Sequence, residues 1–492
     1  MDKYQRLSKI REGISVVLIG TLFSSLIGIL FHPVMARLLG TADYGKLAIA
    51  LSVFSPLSHL SLFGMRESVR KFIAEFKQER DEIASFAVSF LLFVGTVPLV
   101  AAVLLSFSGI DLGLFGSEVR SMVIMVLPAL FTTNIFKGLR AVLYGTYSES
   151  RAELLRIIQR SLFLAGSIFL VVTGYGVGGV ILSLTLAPLI TAVPAYIFVR
   201  KNVQLSFSKS FVLDNSRKES IMVYSLFTVL MVIFTQIHLN VDIILLGFFS
   251  GNEAAGIYKA AVVAANFLFM VPAILQNISL HNLSDVYSNE EEQDLREYAG
   301  YFLRYSLAAL TILSLGLFVL AEPFLSLYYG NKFVQAALSL KVLIFGAFMA
   351  GISKILMPAL QAAGEIKKSV GAAAVAAVLN ILLNLFMIPR YGIEGAAAAT
   401  GFSYAVMLVI YGLIFWREIG GIDLHGYIIK LFFCSLLTFV CLSLVEAAIP
   451  SALLKIITVP PLGLAMFLVL ILKTGCLDIE NLRKWFYNSS FR

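Results

Sequence analysis

A block of roughly 20 apolar residues recurs about fourteen times along the 492 residues of this chain, and this recurrence constrains the fold most. A helix needs about 20 such residues to cross the hydrocarbon core of a bilayer. Lipid leaves only helices and closed barrels as spanning structures, and barrel strands would alternate apolar with polar residues. The sequence therefore predicts an all-α integral membrane protein. The predicted spans lie near 13–36, 45–65, 83–106, 119–140, 157–174, 177–199, 221–249, 254–280, 301–322, 334–360, 369–389, 392–415, 426–446 and 453–473.

Composition excludes an ordinary soluble protein. Hydrophobic residues make up 59% and charged residues 14% of the chain, whereas a soluble domain is about 45–50% apolar and about 25% charged. The first apolar block is too long for a cleaved signal and lacks a small-residue cleavage pattern. Cys434, Cys441 and Cys476 form no metal-type pair, so neither a disulfide framework nor a metal site is predicted.

The basic residues indicate an orientation. With the N-terminus inside, 28 of the 38 Lys and Arg residues fall on inner segments, 8 on outer segments and 2 within spans. This bias follows the positive-inside rule and predicts a cell-membrane protein with both termini cytoplasmic. The net charge of +8 is therefore interpreted as membrane orientation, and no nucleic-acid partner is expected.

Three pairs of matching features recur at nearly constant offsets of 211, 217 and 216 residues, which predicts an internal duplication of six helices. A duplicated unit with an even number of helices keeps its orientation, so the copies would be related by an axis along the membrane normal. We predict an N-terminal lobe over 1–205, a second lobe over 206–420 and two extra helices with a tail over 421–492. The pairs are Gly40–Gly45 with Gly251–Gly256, Lys137 with Lys354, and Tyr175–Gly179 with Tyr391–Gly395.

Three segments carry a resemblance to a known group of transporters. They are Pro33 to Gly45 (PVMARLLGTADYG), Asn240 to Gly247 (NVDIILLG) and Gly256 to Ala261 (GIYKAA). The chain resembles the multidrug/oligosaccharidyl-lipid/polysaccharide exporter superfamily, in its Wzx-type oligosaccharide flippase branch. The resemblance implies alternating-access flipping of a polyprenyl-pyrophosphate-linked oligosaccharide or polysaccharide repeat unit from the cytoplasmic to the outer leaflet. A glycan polymerase or glycosyltransferases are the implied protein partners.

Two glycine motifs resemble nucleotide-binding loops but lack their context. The segment Gly40 to Leu47 reads G-x-x-x-x-G-K-L, with Leu47 where a phosphate-binding loop has Ser or Thr. The segment Gly174 to Gly179 matches G-x-G-x-x-G without a βαβ unit. The histidines show no catalytic spacing. We therefore predict that the protein is not an enzyme and needs no cofactor.

Ionisable residues at membrane depth are costly and usually face a cavity or a partner. His238 and Asp242 lie four residues apart in the seventh span and share one helical face. Two interpretations remain open: an ion or proton coupling site that lines a cavity, and a polar pair that orients neighbouring helices.

Basic residues near helix depth are the candidate substrate-binding residues. Lys137 and Lys354 occupy corresponding positions in the two repeats, and Lys259 falls where related flippases often carry a basic residue. Together they predict an anionic ligand, with a pyrophosphate as the hypothesis, although each long side chain can also snorkel to lipid head-groups. The full set of candidates is Lys137, Lys354, Lys259, Arg37, Arg66 and Arg140.

Three other functions stay open. A cation-coupled multidrug exporter is disfavoured because the first six predicted spans carry no interior Asp or Glu. A lipid II flippase is disfavoured because that branch carries arginines in its first helix, and here none lies between Glu12 and Arg37. The third alternative is a scaffold, without transport activity, in a glycan assembly complex.

Overall fold

The structure is a computed structural model that describes residues 3–107, 117–206, 208–270, 272 and 292–476. Within these ranges the chain is helical and contains no strand, which confirms the all-α membrane prediction. It divides into two compact units, Met1–Gly256 and Ile257–Arg492. The helices are α1 Lys3–Leu62, α2 Met65–Glu75, α3 Arg80–Phe107, α4 Ser117–Gly145, α5 Glu149–Leu170, α6 Gly176–Arg200, α7 Lys209–Val212, α8 Asn215–Phe249, α9 Gly251–Ala265, α10 Glu292–Val319, α11 Ala321–Tyr328, α12 Ala337–Ala362, α13 Ile366–Glu418, α14 His425–Ala448 and α15 Ala452–Lys473.

Ten helical stretches among the described residues are long and apolar enough to cross a membrane. Three of them, Phe23–Glu75, Glu149–Arg200 and Lys367–Glu418, run for 52 or 53 residues, which is roughly 80 Å if straight and far more than one crossing needs. Each therefore holds two of the predicted spans. The span predicted near 254–280 runs beyond the described residues, so the total of fourteen stays a prediction.

Each long stretch reverses direction partway. In α1, His32 Nδ1 lies 3.0 Å from the Tyr44 hydroxyl, twelve residues later, whereas a straight helix would separate them by about 18 Å. In the α5–α6 stretch, the Ser183 hydroxyl donates to the Phe163 carbonyl at 3.0 Å. In α13, the Asn380 amide donates to the Thr400 hydroxyl at 3.1 Å. These contacts show that all three stretches are antiparallel hairpins.

The tips of the second and third hairpins carry the Y-G-x-x-G motifs, and their geometry matches. Gly176 has φ 53° and ψ −138°, and Gly392 has φ 55° and ψ −129°, a region that favours glycine because other residues clash there. In both motifs the last glycine faces the arm that precedes the tip. A Cβ would come within 2.7 Å of Leu170 at Gly179 and within 2.5 Å of Met387 at Gly395. The shared conformation supports the duplication predicted from the sequence.

The G-x-x-x-x-G motifs of the repeat pack against each other, and we call this contact the glycine clasp (Gly40–Gly45 with Gly251–Gly256). A Cβ on Gly45 would lie 1.7 Å from the Asn252 carbonyl oxygen, and one on Gly256 would lie 2.3 Å from the Thr41 carbonyl oxygen. The Thr41 hydroxyl also donates to Glu253 at 2.7 Å. Bare backbones thus meet where any side chain would separate them.

Both units bury apolar cores, and large apolar side chains remain on the outside. Phe93, Trp416 and Leu444 are 71%, 69% and 67% exposed. Such side chains would be unfavourable in water and suit contact with lipid. The first core includes Met65, Leu91, Val142, Leu155 and Ile221, and the second includes Leu303, Leu360, Tyr411, Phe467 and Ile471.

The linker between α6 and α8 is hydrogen-bonded to the region where α2 ends and α3 begins. Asp81 accepts from the Gln204 backbone N–H at 3.0 Å and from Lys209 Nζ at 2.7 Å. Arg217, at the start of α8, donates to Glu79 at 2.9 Å and lies over the Phe76 ring at 3.5 Å. The linker and the beginning of α8 are therefore held against the turn between α2 and α3 and the first turn of α3.

Candidate substrate-binding site

Four basic side chains from two neighbouring helices of the first unit form a cationic cluster, defined as Lys137, Arg140, Arg156 and Arg160. The first two lie on α4, three residues apart, and the last two lie on α5, four residues apart, so each pair shares a helical face. All four fall within stretches that are apolar enough to cross the membrane. Of the predicted site residues, the structure brings Lys137 and Arg140 together here.

Lys137 is partly buried and is held by a neutral partner. Its Nζ donates to the hydroxyl of Ser58 on α1 at 2.9 Å, and Ser58 is 1% exposed. One turn away along the same seam, the Ser61 hydroxyl donates to Asn134 at 3.2 Å. Arg66, Arg140 and Arg160 lie near enough to act on Lys137 electrostatically, so an anion placed among these cations would be attracted to them.

A buried carboxylate, Glu153 on α5, sits among these cations and is 2% exposed. Arg140 Nη2 lies 3.6 Å from its Oε1, and Arg156 makes a closer ion pair with its Oε2. The Tyr144 hydroxyl also donates to Glu153 and accepts from Arg140 at 3.2 Å. Buried charges persist when they are paired and hydrogen-bonded in this way.

Helix α1 supplies a polar wall for the arginines of α5. Arg156 donates to the Thr21 hydroxyl at 2.7 Å, and Arg160 donates to the Ser24 carbonyl at 2.8 Å. Gly28 leaves room for Arg160, because a Cβ there would lie 2.8 Å from its Nη1. The guanidinium groups are thus positioned by backbone and hydroxyl groups on one face of α1.

The cluster carries more positive than negative charge. Within the described residues, the ion pairs of its four cations go to one carboxylate, Glu153. Arg66 adds charge at the edge, where its exposed side chain pairs with Glu67. A second anionic group would therefore be electrostatically favoured next to Lys137 and Arg160.

The other predicted basic residues lie elsewhere. Arg37 is exposed and lies before the Gly40 break in α1, whereas Ser58 lies after it. In the second unit, Lys354 on α12 is partly buried with its Nζ 4.2 Å from the centre of the Phe269 ring. Lys259 on α9 is also partly buried.

The two residues predicted for ion coupling are both buried on α8. His238 is 5% exposed and Asp242 is 2% exposed. Asp242 accepts from the Ile243 backbone N–H at 2.9 Å. Between them, Asn240 donates to the Gln236 carbonyl at 2.8 Å. Their role stays a prediction.

A further set of polar residues, which the sequence patterns did not predict, is buried between the arms of the α13 hairpin. Asn380 donates to Thr400 at 3.1 Å, and Asn384 donates to the Asn380 side chain at 3.1 Å. The spacing of Asn380 and Asn384, four residues apart within an apolar span, was the available signal.

The sequence patterns did not predict a site role for Glu153, Arg156 or Arg160. Hydropathy starts the fifth span near 157, so Glu153 and Arg156 fall outside it, whereas the helix begins at Glu149. The reason is mutual neutralisation, since ion pairing lets charged residues lie in a buried stretch that hydropathy alone would end. Their separations of three, four and seven residues place them on one helical face, and this spacing was the feature of the sequence that could have indicated the cluster.

Comparison with known proteins places the chain in a family. A family model described as "Polysaccharide biosynthesis protein" matches residues 10–279, more than half of the chain. The chain belongs to this polysaccharide biosynthesis family. A second model, MatE, matches residues 228–386. Membership confirms the predicted place in the multidrug/oligosaccharidyl-lipid/polysaccharide superfamily.

Two curated relatives of this family member come from archaea. The "Probable low-salt glycan biosynthesis flippase Agl15" of Haloferax volcanii is 25% identical over 380 residues, which cover 76% of this chain and 77% of the relative. An uncharacterized membrane protein of Methanocaldococcus jannaschii is 22% identical over 421 residues, which cover 81% and 82% of the two chains.

Solved structures share the fold of this family member. The lipid II flippase MurJ, in an inward closed conformation, matches with a TM-score of 0.74 and 15% identity over 97% of this chain and 99% of that chain. An inward-facing multidrug resistance MATE transporter matches with a TM-score of 0.61 and 15% identity over 83% of this chain and 97% of that chain.

Proposed function

We propose that this protein flips a lipid-linked oligosaccharide, carried on a polyprenyl diphosphate, from the cytoplasmic to the outer leaflet by alternating access. The cationic cluster on α4 and α5 carries this proposal, because it offers excess positive charge within stretches apolar enough to cross the membrane. A sugar head-group cannot pass through hydrocarbon with its hydroxyls unpaired, since each costs several kcal/mol. A polar path would pair the sugar hydroxyls, and an anion site in that path would bind the charged diphosphate, while the lipid tail stays in the bilayer.

Residue roles follow from this assignment. Lys137 and Arg140 hold the diphosphate, Arg66 attracts it at the edge of the cluster, and Arg37, Lys259 and Lys354 contact it at other stages of transport. The functional lobes are 1–205 and 206–420, followed by the two helices of 421–492. Both termini lie in the cytoplasm, and a glycan polymerase or glycosyltransferases act before and after this step.

Two energy sources are available for export. An inside-negative membrane potential contributes roughly 2.3 kcal/mol per charge per 100 mV, and about twice that for an outward-moving dianion. Coupling to a cation or proton at His238 and Asp242 is the second source. Flipping in vesicles with a valinomycin-imposed potential, with and without an ion gradient, separates the two.

The direct test uses the full-length protein in vesicles with a fluorescent lipid-linked oligosaccharide, and measures the fraction that reaches a membrane-impermeant quencher. Lys137→Ala is expected to slow flipping roughly tenfold or more, because it removes a charge-assisted contact worth about 1.5–3 kcal/mol. Lys201→Ala, which removes an exposed lysine just after α6, is the matched control. Equal rates for both variants and the wild type would reject the site.

A multidrug exporter is the second candidate function, and the match of the MatE model to residues 228–386 favours it. Such an exporter would move cationic drugs, which the cationic cluster would repel. Proteoliposomes that accumulate an organic cation in response to an ion gradient, but do not flip the labelled oligosaccharide lipid, would decide for it. Lipid II in the same flipping assay tests a lipid II flippase.

A further inference from the structure

The buried carboxylate Glu153 already occupies part of the site that the diphosphate would enter. We propose that Glu153 is an internal counter-anion: it neutralises Arg140 and Arg156 while the site is empty, and it competes with the diphosphate for them when substrate binds. This inference rests on the proposed function. It assigns Glu153 the task of limiting affinity so that the head-group can be released.

The geometry supports competition for shared donors. Through its two oxygens, Glu153 makes ion pairs with Arg140 and Arg156 and accepts a hydrogen bond from the Tyr144 hydroxyl. These donors present the fork and hydroxyl geometry that also suits phosphate oxygens. Because Arg140 Nη2 stands 3.6 Å from the carboxylate, against a closer pair at Arg156, Arg140 is the donor that a phosphate could most easily take over.

Helix α1 explains why a carboxylate fits at this place. Gly20 on α1 lies directly behind Glu153, and a Cβ on Gly20 would come within 2.5 Å of Oε2. The glycine therefore makes the space that the carboxylate occupies. Lys137 donates to the neutral hydroxyl of Ser58, whereas the ion pairs of Glu153 go to Arg140 and Arg156.

Charge balance gives the functional reason. Without Glu153, four neighbouring cations would remain in a partly buried site, where unpaired charge is strongly unfavourable. With Glu153 in place, an arriving diphosphate gains Lys137 and Arg160 but meets repulsion from the carboxylate. A transporter needs binding tight enough to load and weak enough to unload, and a resident anion provides both conditions.

The experiment measures binding and transport with the purified full-length protein. Farnesyl diphosphate, farnesyl phosphate and farnesol serve as calorimetric probes, and the labelled oligosaccharide lipid serves for flipping. Glu153→Gln is expected to bind farnesyl diphosphate about tenfold tighter than the wild type, because it removes repulsion at close range. In flipping, the same variant should show a lower half-saturating substrate concentration together with a lower maximal rate. Glu219→Gln, the same charge change at an exposed site on α8, should match the wild type.

A second variant tests for a change in diphosphate affinity in the opposite direction. Tyr144→Phe removes a hydroxyl that satisfies Glu153, so the carboxylate depends more on the arginines, and diphosphate binding should weaken about threefold. Thermal unfolding midpoints establish that each variant is folded. If Glu153→Gln does not fold, the direction of change in Tyr144→Phe decides.

The outcomes separate the two proposals. If the wild type binds farnesyl diphosphate no better than farnesol, the diphosphate site and the counter-anion are both rejected. If the wild type prefers the diphosphate and Lys137→Ala weakens it, the site stands. Unchanged or weaker binding in Glu153→Gln would then overturn only the counter-anion, as would unchanged or tighter binding in Tyr144→Phe.

Discussion

The glycine clasp makes a sharp prediction for Gly45→Ala. An alanine Cβ would lie 1.7 Å from the Asn252 carbonyl oxygen and 2.6 Å from its carbonyl carbon. Ordinary contact needs about 3.4–4 Å, so the two backbones must separate by roughly 2 Å. The obstacle is backbone that cannot rotate away, so the substitution should destabilise the clasp by about 3 kcal/mol or more, at or above the usual range for overpacking.

Two measurements on the purified protein check this prediction. The thermal unfolding midpoint of Gly45→Ala should fall below that of Gly412→Ala, a helical position where a Cβ meets nothing within 4 Å. The control should be neutral or slightly stabilised, because Ala is the better helix former by about 0.5–1 kcal/mol. A cysteine placed at Thr41, which is 7% exposed, in a background lacking the three native cysteines should react faster with a maleimide when Gly45 is replaced.

Equal midpoints and equal labelling rates for Gly45→Ala and Gly412→Ala would contradict the close contact at the clasp. They would show that the backbones do not approach closely in the membrane. Faster labelling with an unchanged midpoint would instead locate the effect in the clasp alone.

Three further predictions concern stability and use the same unfolding measurement. Arg217→Ala should lower the free energy of unfolding by about 1 kcal/mol through the lost ion pair to Glu79 at 2.9 Å and the lost ring contact, and Arg200→Ala should not. Tyr411→Phe should cost about 1 kcal/mol, because its hydroxyl donates to the Ser369 carbonyl at 3.2 Å across the α13 hairpin. The Ser216 hydroxyl and backbone N–H donate to Asp214, the N-cap of α8, and lower the pKa of its carboxyl group. This stabilisation is present above the ordinary Asp pKa and is lost as pH falls through the folded value, so Asp214→Asn should flatten the acid limb of stability against pH.

Each of these predictions has a contradicting result. An Arg217→Ala variant as stable as Arg200→Ala would show that the linker contact contributes nothing. An unchanged Tyr411→Phe variant would mean that the Ser369 carbonyl finds another donor. An acid limb that is the same with Asp214 and with Asn at that position would mean that the cap does not titrate with folding.

Much of the fold was predictable because lipid restricts the choices. Apolar length predicted where helices lie, and the Y-G-x-x-G and G-x-x-x-x-G motifs marked where they break. At those breaks the structure differs from the predicted spans, which leave a gap between successive helices. In the structure, helical hydrogen bonding continues up to Gly40 and Gly392 from both sides. Glycine with positive φ reverses the chain within one or two residues, so no separate loop is needed.

The site was predictable only in part. Lys137 and Arg140 were selected because they lie in an apolar span and one has a counterpart in the repeat. Glu153 was not, because hydropathy treats a charge as the end of a span and cannot detect a partner on another helix. The pairing of Arg156 with Thr21, 135 residues earlier, depends on how α1 packs on α5. Side-chain partners this distant follow from tertiary packing, which a single sequence does not specify.

Helix α8 has a consequence for how the protein can be divided. In the predicted duplication α8 would open the second copy, yet it packs on α1 and α2, where the Ser68 and Ser225 hydroxyls lie 2.6 Å apart and both residues are fully buried. A gene fragment that stops at residue 205 would expose the surface of α1 and α2 on which α8 packs. A fragment that continues to Gly256 includes α8, which covers that surface. Split versions of the protein should therefore assemble best when they are cut after α8, and a free-standing half built on the repeat boundary would need a helix borrowed from another molecule.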